Sequence, residues 1–532
     1  MTFSHWDPPV PLWSATDKSS FAYESTSKRW PEILAGTISG LVNAAHALSY
    51  QDDGENVTGK MEESKVIIEK LSKLKHDMGR DRPLEAIGLS ESDESGTAEF
   101  DEVVKQKGWT WFNAPWLFAE CYLYRLIRSF FATSQHWKYY DPFAAQKISA
   151  FRSSGKAINE LAKTVEELVR KAESAQTSNP SKAAAEGGEG QKLIFYLLAQ
   201  SSLWGNATDL SLLTSLSHAD IQDLQAGGLS TSAQAERAKY ILTGLGGLDQ
   251  AWAKVSAAKD GRVDFVLDNA GFEVTTDLLF ADWLLATGHV KEVVFHPKVL
   301  PWFVSDVTPA DFHYTLAALQ SSDFFTDVSV GQSDGGKKAA ESATAKAELD
   351  ASYFLNAQGA SVQPSQSYVI DTSAVTKRVS AAHTASGSTA IQRLAARWSK
   401  HLSEGRFRLA FDGKLGQAAG PLGDFWTSFH SYADLPTAAP DLNADLRKSS
   451  LVIFKGDLNT RKLLSDARWP DTAPFDQAMG PLAGRFDTLV LRTCKADVCA
   501  GLSQERFEAV QREDPKWRVN GRWAIIVYVA RS

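Results

Sequence analysis

The stretch VDFVLDNAG, residues 263–271, decides the fold, because a run of strand-forming residues ends there in a polar, glycine-containing turn. The segment that follows it, FEVTTDLLFADWLLATG, has helical spacing of its apolar residues, which predicts a strand followed by a helix. Apolar strands separated by helices indicate a mostly parallel sheet that is covered on both faces. Further strand-like runs occupy residues 291–298, 301–308, 406–413, 449–457, 486–493 and 523–530.

The chain before this stretch is predominantly helical in pattern. PWLFAECYLYRLIRSFF (115–131) predicts a buried helix, and INELAKTVEELVRKAES (158–174) predicts an amphipathic one. We therefore expect an α/β protein with a mainly helical N-terminal domain, residues 1–240, and an α/β/α domain, residues 241–532. The small, polar residues near 334–351 indicate a surface insertion in the second domain.

Composition and charge exclude several classes of protein. The 532 residues are 43% hydrophobic with a formal net charge of -8, which is typical of a soluble globular protein and unlike a nucleic-acid-binding one. The longest apolar run, WAIIVYVA, is too short to span a membrane, and the N-terminus does not resemble a signal peptide. With only Cys121, Cys494 and Cys499, the chain has no disulfide framework, and we expect a cytoplasmic or nuclear protein.

Polar residues follow two of the predicted strands. Asp268 and Asn269 come after the run VDFVL, and Asp306 comes after a second strand-like run. Ligands of α/β folds bind beyond the carboxyl ends of the strands, so these side chains are candidates for one site. Carboxylate and amide oxygens are ligands that Mg²⁺ or Mn²⁺ would accept, while Gly271 allows a tight turn.

Two further strand ends carry basic residues. The segment Lys455–Arg461 joins an asparagine and a guanidinium to the start of a helix, and Arg492–Lys495 adds an ammonium group. This mixture suits a phosphate and sugar hydroxyls. Taken singly, each acid is better explained as a helix cap, and each base is equally well explained as part of a surface ion pair. Their common position at strand ends favours a functional site.

Together these residues resemble a known family. DNAGFE (268–273), WFVSDVTPADF (302–312), KGDLNTRKL (455–463) and RTCK (492–495) are similar to the damage-control phosphatases, specifically the sugar-phosphate group with an RTxK motif, also called acidic-residue methyltransferase-like. The resemblance extends to PWLFAECYLYR (115–125), LWGNATDLS (203–211) and GDFWTS (423–428), and so covers nearly the whole chain.

This resemblance implies a helical N-terminal part packed on a Rossmann-like α/β/α core. It also implies a divalent metal ion (Mn²⁺, Co²⁺, Ni²⁺ or Mg²⁺) held by Asp268, Asn269 and Asp306, the residues on which catalysis would depend. The substrates would be reactive metabolites such as fructose 1-phosphate and fructose 6-phosphate. The substrate-binding residues would be Glu273, Asp457, Leu458, Asn459, Thr460, Arg461 and Lys495. Thr460 departs from the family pattern, which usually has tyrosine there.

Several alternatives remain open at the level of sequence. Either water or the Asp268 carboxylate would attack the phosphoryl group, and water is preferred because Ala270 replaces the second acid of a DxD motif. Glu120, Asn206, Asp209 and Glu273 could each support the site from behind the binding residues, but helix capping and buried hydrogen bonds explain the first three at least as well. A carboxyl methyltransferase using S-adenosylmethionine is a rival function, although the glycine cluster at 242–249 follows no predicted strand. A non-catalytic interaction scaffold is the other rival.

Overall fold

The six-stranded sheet has the order β3-β2-β1-β4-β5-β6, in which β1 to β5 are parallel and β6 is antiparallel to β5. The strands are β1 Gly261–Val266, β2 Val290–His296, β3 Phe407–Leu409, β4 Leu451–Lys455, β5 Thr488–Thr493 and β6 Ala524–Val529. The computed structural model describes residues 6–49, 55–90, 94–178, 188–205, 238–258, 260–321, 324–325, 388–413 and 415–532. Because the chain order reverses between β1 and β4, a crevice forms beyond their carboxyl ends.

Alternate residues of each central strand enter two different cores. In β4, Leu451 and Ile453 belong to one core, while Val452 and Phe454 belong to the other. All five residues of β4 are buried. Burial on both faces explains why the strands are continuous apolar runs, as the sequence predicts for a covered parallel sheet.

Helices cover both faces of this sheet. The helices on the first face are α6 Ala144–Ser153, α7 Gly155–Ser178, α8 Gly188–Gly205, α9 Gly246–Ala257, α10 Phe272–Ala286, α11 Pro309–Gln320 and α12 Ala390–Ser403. Those on the second face are α13 Leu435–Ala438, α14 Pro440–Leu446, α15 Gly456–Leu463, α16 Phe475–Met479 and α17 Gln504–Glu513. The predicted α/β/α class with a mostly parallel sheet is confirmed.

An N-terminal helical bundle forms a third core. Its helices are α1 Phe21–Glu24, α2 Trp30–Ser49, α3 Glu55–Gly79, α4 Ala98–Lys107 and α5 Trp116–Ala132, with a π-helical segment, Ser25–Arg29, between α1 and α2. This core also contains residues 299–300 and 302–304, together with Leu458 and Ala496, all of which lie beyond the ends of the strands. The bundle is therefore packed over the carboxyl edge of the sheet.

One predicted strand is wrong. Residues 301–308 form an irregular turn instead, in which Phe303 and Val304 have positive φ angles of 45° and 71°. The amide of Asp306 bonds back to the carbonyl of Trp302 at 3.1 Å. The apolar residues of this segment are strand-like in type, but they bury themselves against the bundle core, which requires a left-handed turn that a strand cannot make.

The remaining sequence predictions have mixed outcomes. The predicted helices at 115–131 and 158–174 correspond to α5 and α7. Asn206, Asp209 and the insertion at 334–351 lie outside the described residues, and the division into domains at residue 240 stays a prediction. No described helix combines the length and the apolar character needed to cross a membrane. Cys121, Cys494 and Cys499 are buried free thiols.

Candidate active site

A pocket lies where the bundle meets the carboxyl edge of the sheet. Its sheet side is formed by Asp268, Asp306, Asp457, Leu458, Arg461 and Lys495. Its bundle side is formed by Phe21, Arg29 and Trp116, and Phe303 from the turn after β2 completes the lining. Most of these side chains are buried, whereas Phe21 and Arg29 are partly exposed. The topology thus brings together acids and bases that are hundreds of residues apart.

The two candidate metal-binding segments are joined through their backbones. The amide of Ala270 donates to the carbonyl of Ser305 at 2.8 Å. The amide of Val307 donates to the carbonyl of Asp268, also at 2.8 Å. Asn269 and Asp306 consequently pair as a short antiparallel bridge. This pairing, rather than a second strand end, holds the Asp306 carboxylate beside the end of β1.

Gly271 makes the turn after Asn269 sterically feasible. Its φ is 75°, and a Cβ atom at this position would lie 2.9 Å from the Cβ of Phe151. Both the left-handed backbone and the close approach of α6 therefore require glycine. The turn leads directly into α10, which begins at Phe272.

The side chain of Asn269 has defined hydrogen-bond partners. Its Nδ2 donates to Glu273 Oε2 at 2.8 Å and to Asp268 Oδ2 at 3.2 Å, while its Oδ1 accepts from the Ser305 hydroxyl at 2.5 Å. Asp268, Asn269 and Asp306 are each at most 4% exposed. The three predicted metal ligands are therefore brought together, buried and oriented.

The donor set suits a hard divalent cation. Asp268 and Asp306 supply carboxylates, and Asn269 supplies an amide oxygen, which are the ligand types preferred by Mg²⁺ and Mn²⁺. Since these residues would supply only three ligands, an ion held here would retain positions for water or phosphate. Lys298, 3.4 Å from Asp306 Oδ2, adds a fixed positive charge beside the carboxylate.

The segment Asp457–Arg461 divides between the pocket and the interior. Asp457, Leu458 and Arg461 line the pocket. Asn459 instead donates to the carbonyls of Val266, Leu267 and Lys455 at 3.2, 3.1 and 2.6 Å, and so joins β1 to β4 at the switch point. Thr460 bonds to the carbonyl of Gly456 at 2.8 Å within α15. The role predicted for this segment is thus supported by geometry at three of its five positions.

Arg461 is held by the bundle as well as by its own helix region. Its guanidinium donates to Glu120 Oε2 at 2.6 Å and to both oxygens of Asp466, and it lies 3.7 Å from the ring centroid of Trp116. Burial alone would lower the pKa of Arg461, but Asp466 and Glu120 raise it above its ordinary value. Glu120 therefore supports the site, one of the two roles that the sequence left open.

The two basic residues of the RTxK motif have different environments. Arg492 is fully buried, and its guanidinium donates to Asp457 Oδ1 and to the carbonyls of Val498 and Ala496. Lys495 lines the pocket, and its backbone amide also donates to Asp457 Oδ1 at 3.1 Å. The arginine fixes the loop that carries the lysine.

The bundle-side residues of the pocket were missed by the sequence analysis. The Arg29 guanidinium donates to Glu120 Oε1 at 3.1 Å, and the backbone amide of Phe21 donates to Asp497 Oδ2 at 2.6 Å. Trp116 lies within the family-like segment 115–125, and this membership was the only available signal. Glu273, predicted to bind substrate, is fully buried behind Asn269 and does not line the pocket.

The glycine cluster at 242–249 has a packing role in the structure. It leads into α9, where a Cβ atom at Gly247 would lie 3.2 Å from the Ile526 carbonyl oxygen and the Tyr528 amide. The close approach of this helix to β6 accounts for a glycine at that position.

Comparison with known proteins identifies similar chains across nearly the full length. Residues 25–510 match the model of the Damage-control phosphatase ARMT1-like domain. Damage-control phosphatase ARMT1 of Danio rerio is 29% identical over 538 residues, covering 98% of this chain and 97% of that protein. The protein of the same name from Xenopus tropicalis is 29% identical, and the alignment covers 98% of this chain and 98% of that protein. The one from Homo sapiens is 28% identical, and the alignment covers 97% of each.

Proposed function

Because the chain belongs to the damage-control phosphatase ARMT1-like family, we propose that it hydrolyses small sugar phosphates in a reaction that depends on a divalent metal ion. Family membership supports the broader assignment, a phosphatase that acts in metabolite repair. The proposal adds fructose 1-phosphate and fructose 6-phosphate as substrates and Asp268, Asn269 and Asp306 as the metal ligands.

The observation that carries the proposal is the charge of the pocket lining. Its cations are Arg29, Arg461 and Lys495, and its anions are Asp268, Asp306 and Asp457. The charged groups paired with them, Lys298 and Arg492 on one hand and Glu120 and Asp466 on the other, are also equal in number, so the ionised side chains balance. A bound divalent cation would leave two positive charges, which match a phosphate monoester dianion. Burial of most of the lining residues strengthens such a match relative to bulk water.

The lining residues suggest how the substrate would be held. Lys495 and Arg461 would bind phosphate oxygens, since both carry charged donors on the pocket wall. Asp457 uses Oδ1 for Arg492 and for the amide of Lys495, which leaves Oδ2 to accept a hydrogen bond from a sugar hydroxyl. Phe21 and Trp116 would exclude water from the opposite side.

Phosphoryl transfer depends mainly on positioning and charge neutralisation. When bound, the metal ion would supply positive charge at a phosphoryl oxygen and lower the pKa of water. Asp268 would orient the attacking water, and Lys495 would hold the phosphate in line. The competing mechanism, direct attack by the Asp268 carboxylate, predicts a phosphorylated aspartate that acid quenching and mass spectrometry would detect.

The proposal is tested by phosphate release from fructose 1-phosphate. Metal-stripped protein would be assayed with and without Mn²⁺, alongside Asp268→Ala and Asp412→Ala, an exchange of a partly exposed aspartate outside the pocket. We expect Mn²⁺ to restore activity in the parent protein and in Asp412→Ala but not in Asp268→Ala. Folded protein that releases no phosphate from this ester or from a generic phosphate ester would contradict the proposal.

A further inference from the structure

A buried ionic network lies directly behind the candidate metal site. Lys455, the last residue of β4, donates to Glu273 Oε1 at 2.7 Å, to Asp277 Oδ1 at 2.9 Å and to the Ser202 carbonyl at 2.8 Å. The Ser202 hydroxyl donates to Asp277 Oδ1 at 2.6 Å. All four side chains are at most 1% exposed. The network connects β4, α10 and α8.

The two carboxylates of this network differ in one respect. Glu273 uses its second oxygen, Oε2, to accept from Asn269 Nδ2 at 2.8 Å, whereas the hydrogen bonds of Asp277 go to Lys455 and Ser202. Only Glu273 therefore connects the buried lysine to a residue of the candidate metal site.

The orientation of the Asn269 amide follows from this contact. A carboxylate accepts hydrogen bonds and donates none, so Glu273 Oε2 requires the nitrogen of the amide to face it. The amide oxygen must then lie on the other side, where it accepts from Ser305. A metal ion is coordinated by the oxygen of an amide and not by its nitrogen, so the wrong orientation would remove one ligand.

The charge state of the network keeps this arrangement fixed. Burial alone would lower the pKa of Lys455, but Asp277 and Glu273 raise it above its ordinary value, so the ammonium group stays charged. Burial raises the pKa of Asp277 to about 6, because desolvation disfavours its charged form.

We infer that Glu273, anchored by Lys455, is a positioning residue that keeps the amide oxygen of Asn269 directed to the metal ion. The inference rests on the proposed function, since it needs a metal ion at Asp268, Asn269 and Asp306. Of the two roles that the sequence allowed for Glu273, substrate contact and support from behind the binding residues, it assigns the second and names the group that Glu273 orients.

The test compares Glu273→Gln with Asp277→Asn in the full-length, metal-stripped protein. Each exchange removes one negative charge beside Lys455, and each new amide can still accept from the lysine through its oxygen. In Glu273→Gln, however, the amide nitrogen would face Asn269 and force the Asn269 amide to turn over. Mn²⁺ binding would be measured by isothermal titration calorimetry, and metal-free stability by thermal unfolding.

We expect Glu273→Gln to weaken Mn²⁺ binding about 10- to 100-fold, the usual cost of losing an outer-sphere partner, and Asp277→Asn to leave it within about threefold. Equal Mn²⁺ affinity in both variants would overturn the inference. So would a metal-free unfolding midpoint for Glu273→Gln far below that of Asp277→Asn, because the role of Glu273 would then be structural. Absence of Mn²⁺ binding by the parent protein would instead overturn the metal site itself, and the inference with it.

Discussion

The two sides of the pocket are built in different ways. On the sheet side, Asp268, Asp457 and Lys495 follow β1, β4 and β5 directly, so the strand order alone places them together. On the bundle side, Phe21, Arg29 and Trp116 reach the pocket only because the bundle packs over the strand ends. The comparison suggests that the sheet side carries the chemistry and that the bundle side encloses it and orients Arg461.

The largest effect is expected from Asp306 on the sheet side. Asp306→Ala should lower kcat/KM by about 10³-fold or more, because loss of the metal ion removes several kcal/mol of transition-state stabilisation. Steady-state phosphate release and Mn²⁺ titration would measure both consequences. Asp441→Ala, which changes an exposed aspartate on α14, is the control and should retain parental activity. Retained Mn²⁺ binding by Asp306→Ala would contradict the ligand assignment.

The two basic residues of the RTxK motif should affect different properties, Arg492 the stability of the protein and Lys495 its activity. Arg492→Met should destabilise the protein by roughly 3–5 kcal/mol, because it leaves the buried Asp457 carboxylate without its guanidinium partner. Lys495→Met should lower kcat/KM by about 10²-fold, since a charge on phosphate is lost in a mostly buried site. Chemical unfolding and steady-state kinetics would distinguish the two. Similar unfolding free energies for both variants would refute the separate roles.

A substitution on the bundle side should lower kcat/KM less than one on the sheet side. Arg29→Gln removes a charge from the pocket but leaves Arg461 held by Asp466 and Glu120. We expect a decrease in kcat/KM of about tenfold, mainly through KM, because the loss of one charge-assisted hydrogen bond at the weak end of its usual range, roughly 1.5 kcal/mol, corresponds to about a factor of ten. A loss as large as that of Asp306→Ala would show that the division between the two sides is incorrect.

The same division explains what sequence alone could predict. The apolar run 451–454 is compatible with one structure, a strand that is buried on both faces. The position of this strand places Asp457 just after its end. The run 302–304 is equally apolar, but whether it extends or turns depends on the bundle core, to which distant helices contribute. Arg29 had no local signal, because its proximity to Asp268 depends entirely on that packing.

For Glu273, the sequence indicated that the residue belongs to the site but not what it contacts there. Its position in the segment 268–273 associated it with the site, but sequence could not tell a pocket contact from a contact behind a ligand. That distinction depends on Lys455, which is 182 residues away in the chain and lies at the end of the adjacent strand.

The smallest effect on activity concerns one of the contacts between the bundle and the sheet side, which should influence stability instead. Asp497 follows the RTxK motif and accepts from the amide of Phe21, and burial raises the pKa of this carboxyl to about 6. Since its ordinary pKa is near 3.8, the folded state binds the proton more tightly than the unfolded state. Ionisation of Asp497 therefore reduces the free energy of unfolding as the pH rises from about 4 to 6, and this loss of stability is complete above pH 6.

Asp497→Asn keeps an oxygen that can accept from Phe21 but cannot ionise. The variant should be more stable than the parent by roughly 1–3 kcal/mol at pH 8, and the difference should shrink below pH 6 and vanish near pH 4. Denaturant unfolding at several pH values would measure it. A variant that is less stable at pH 8 would mean that the ionised carboxylate contributes more to fixing Phe21 than its burial costs, and the bundle would then be held to the sheet side by charge as well as by packing.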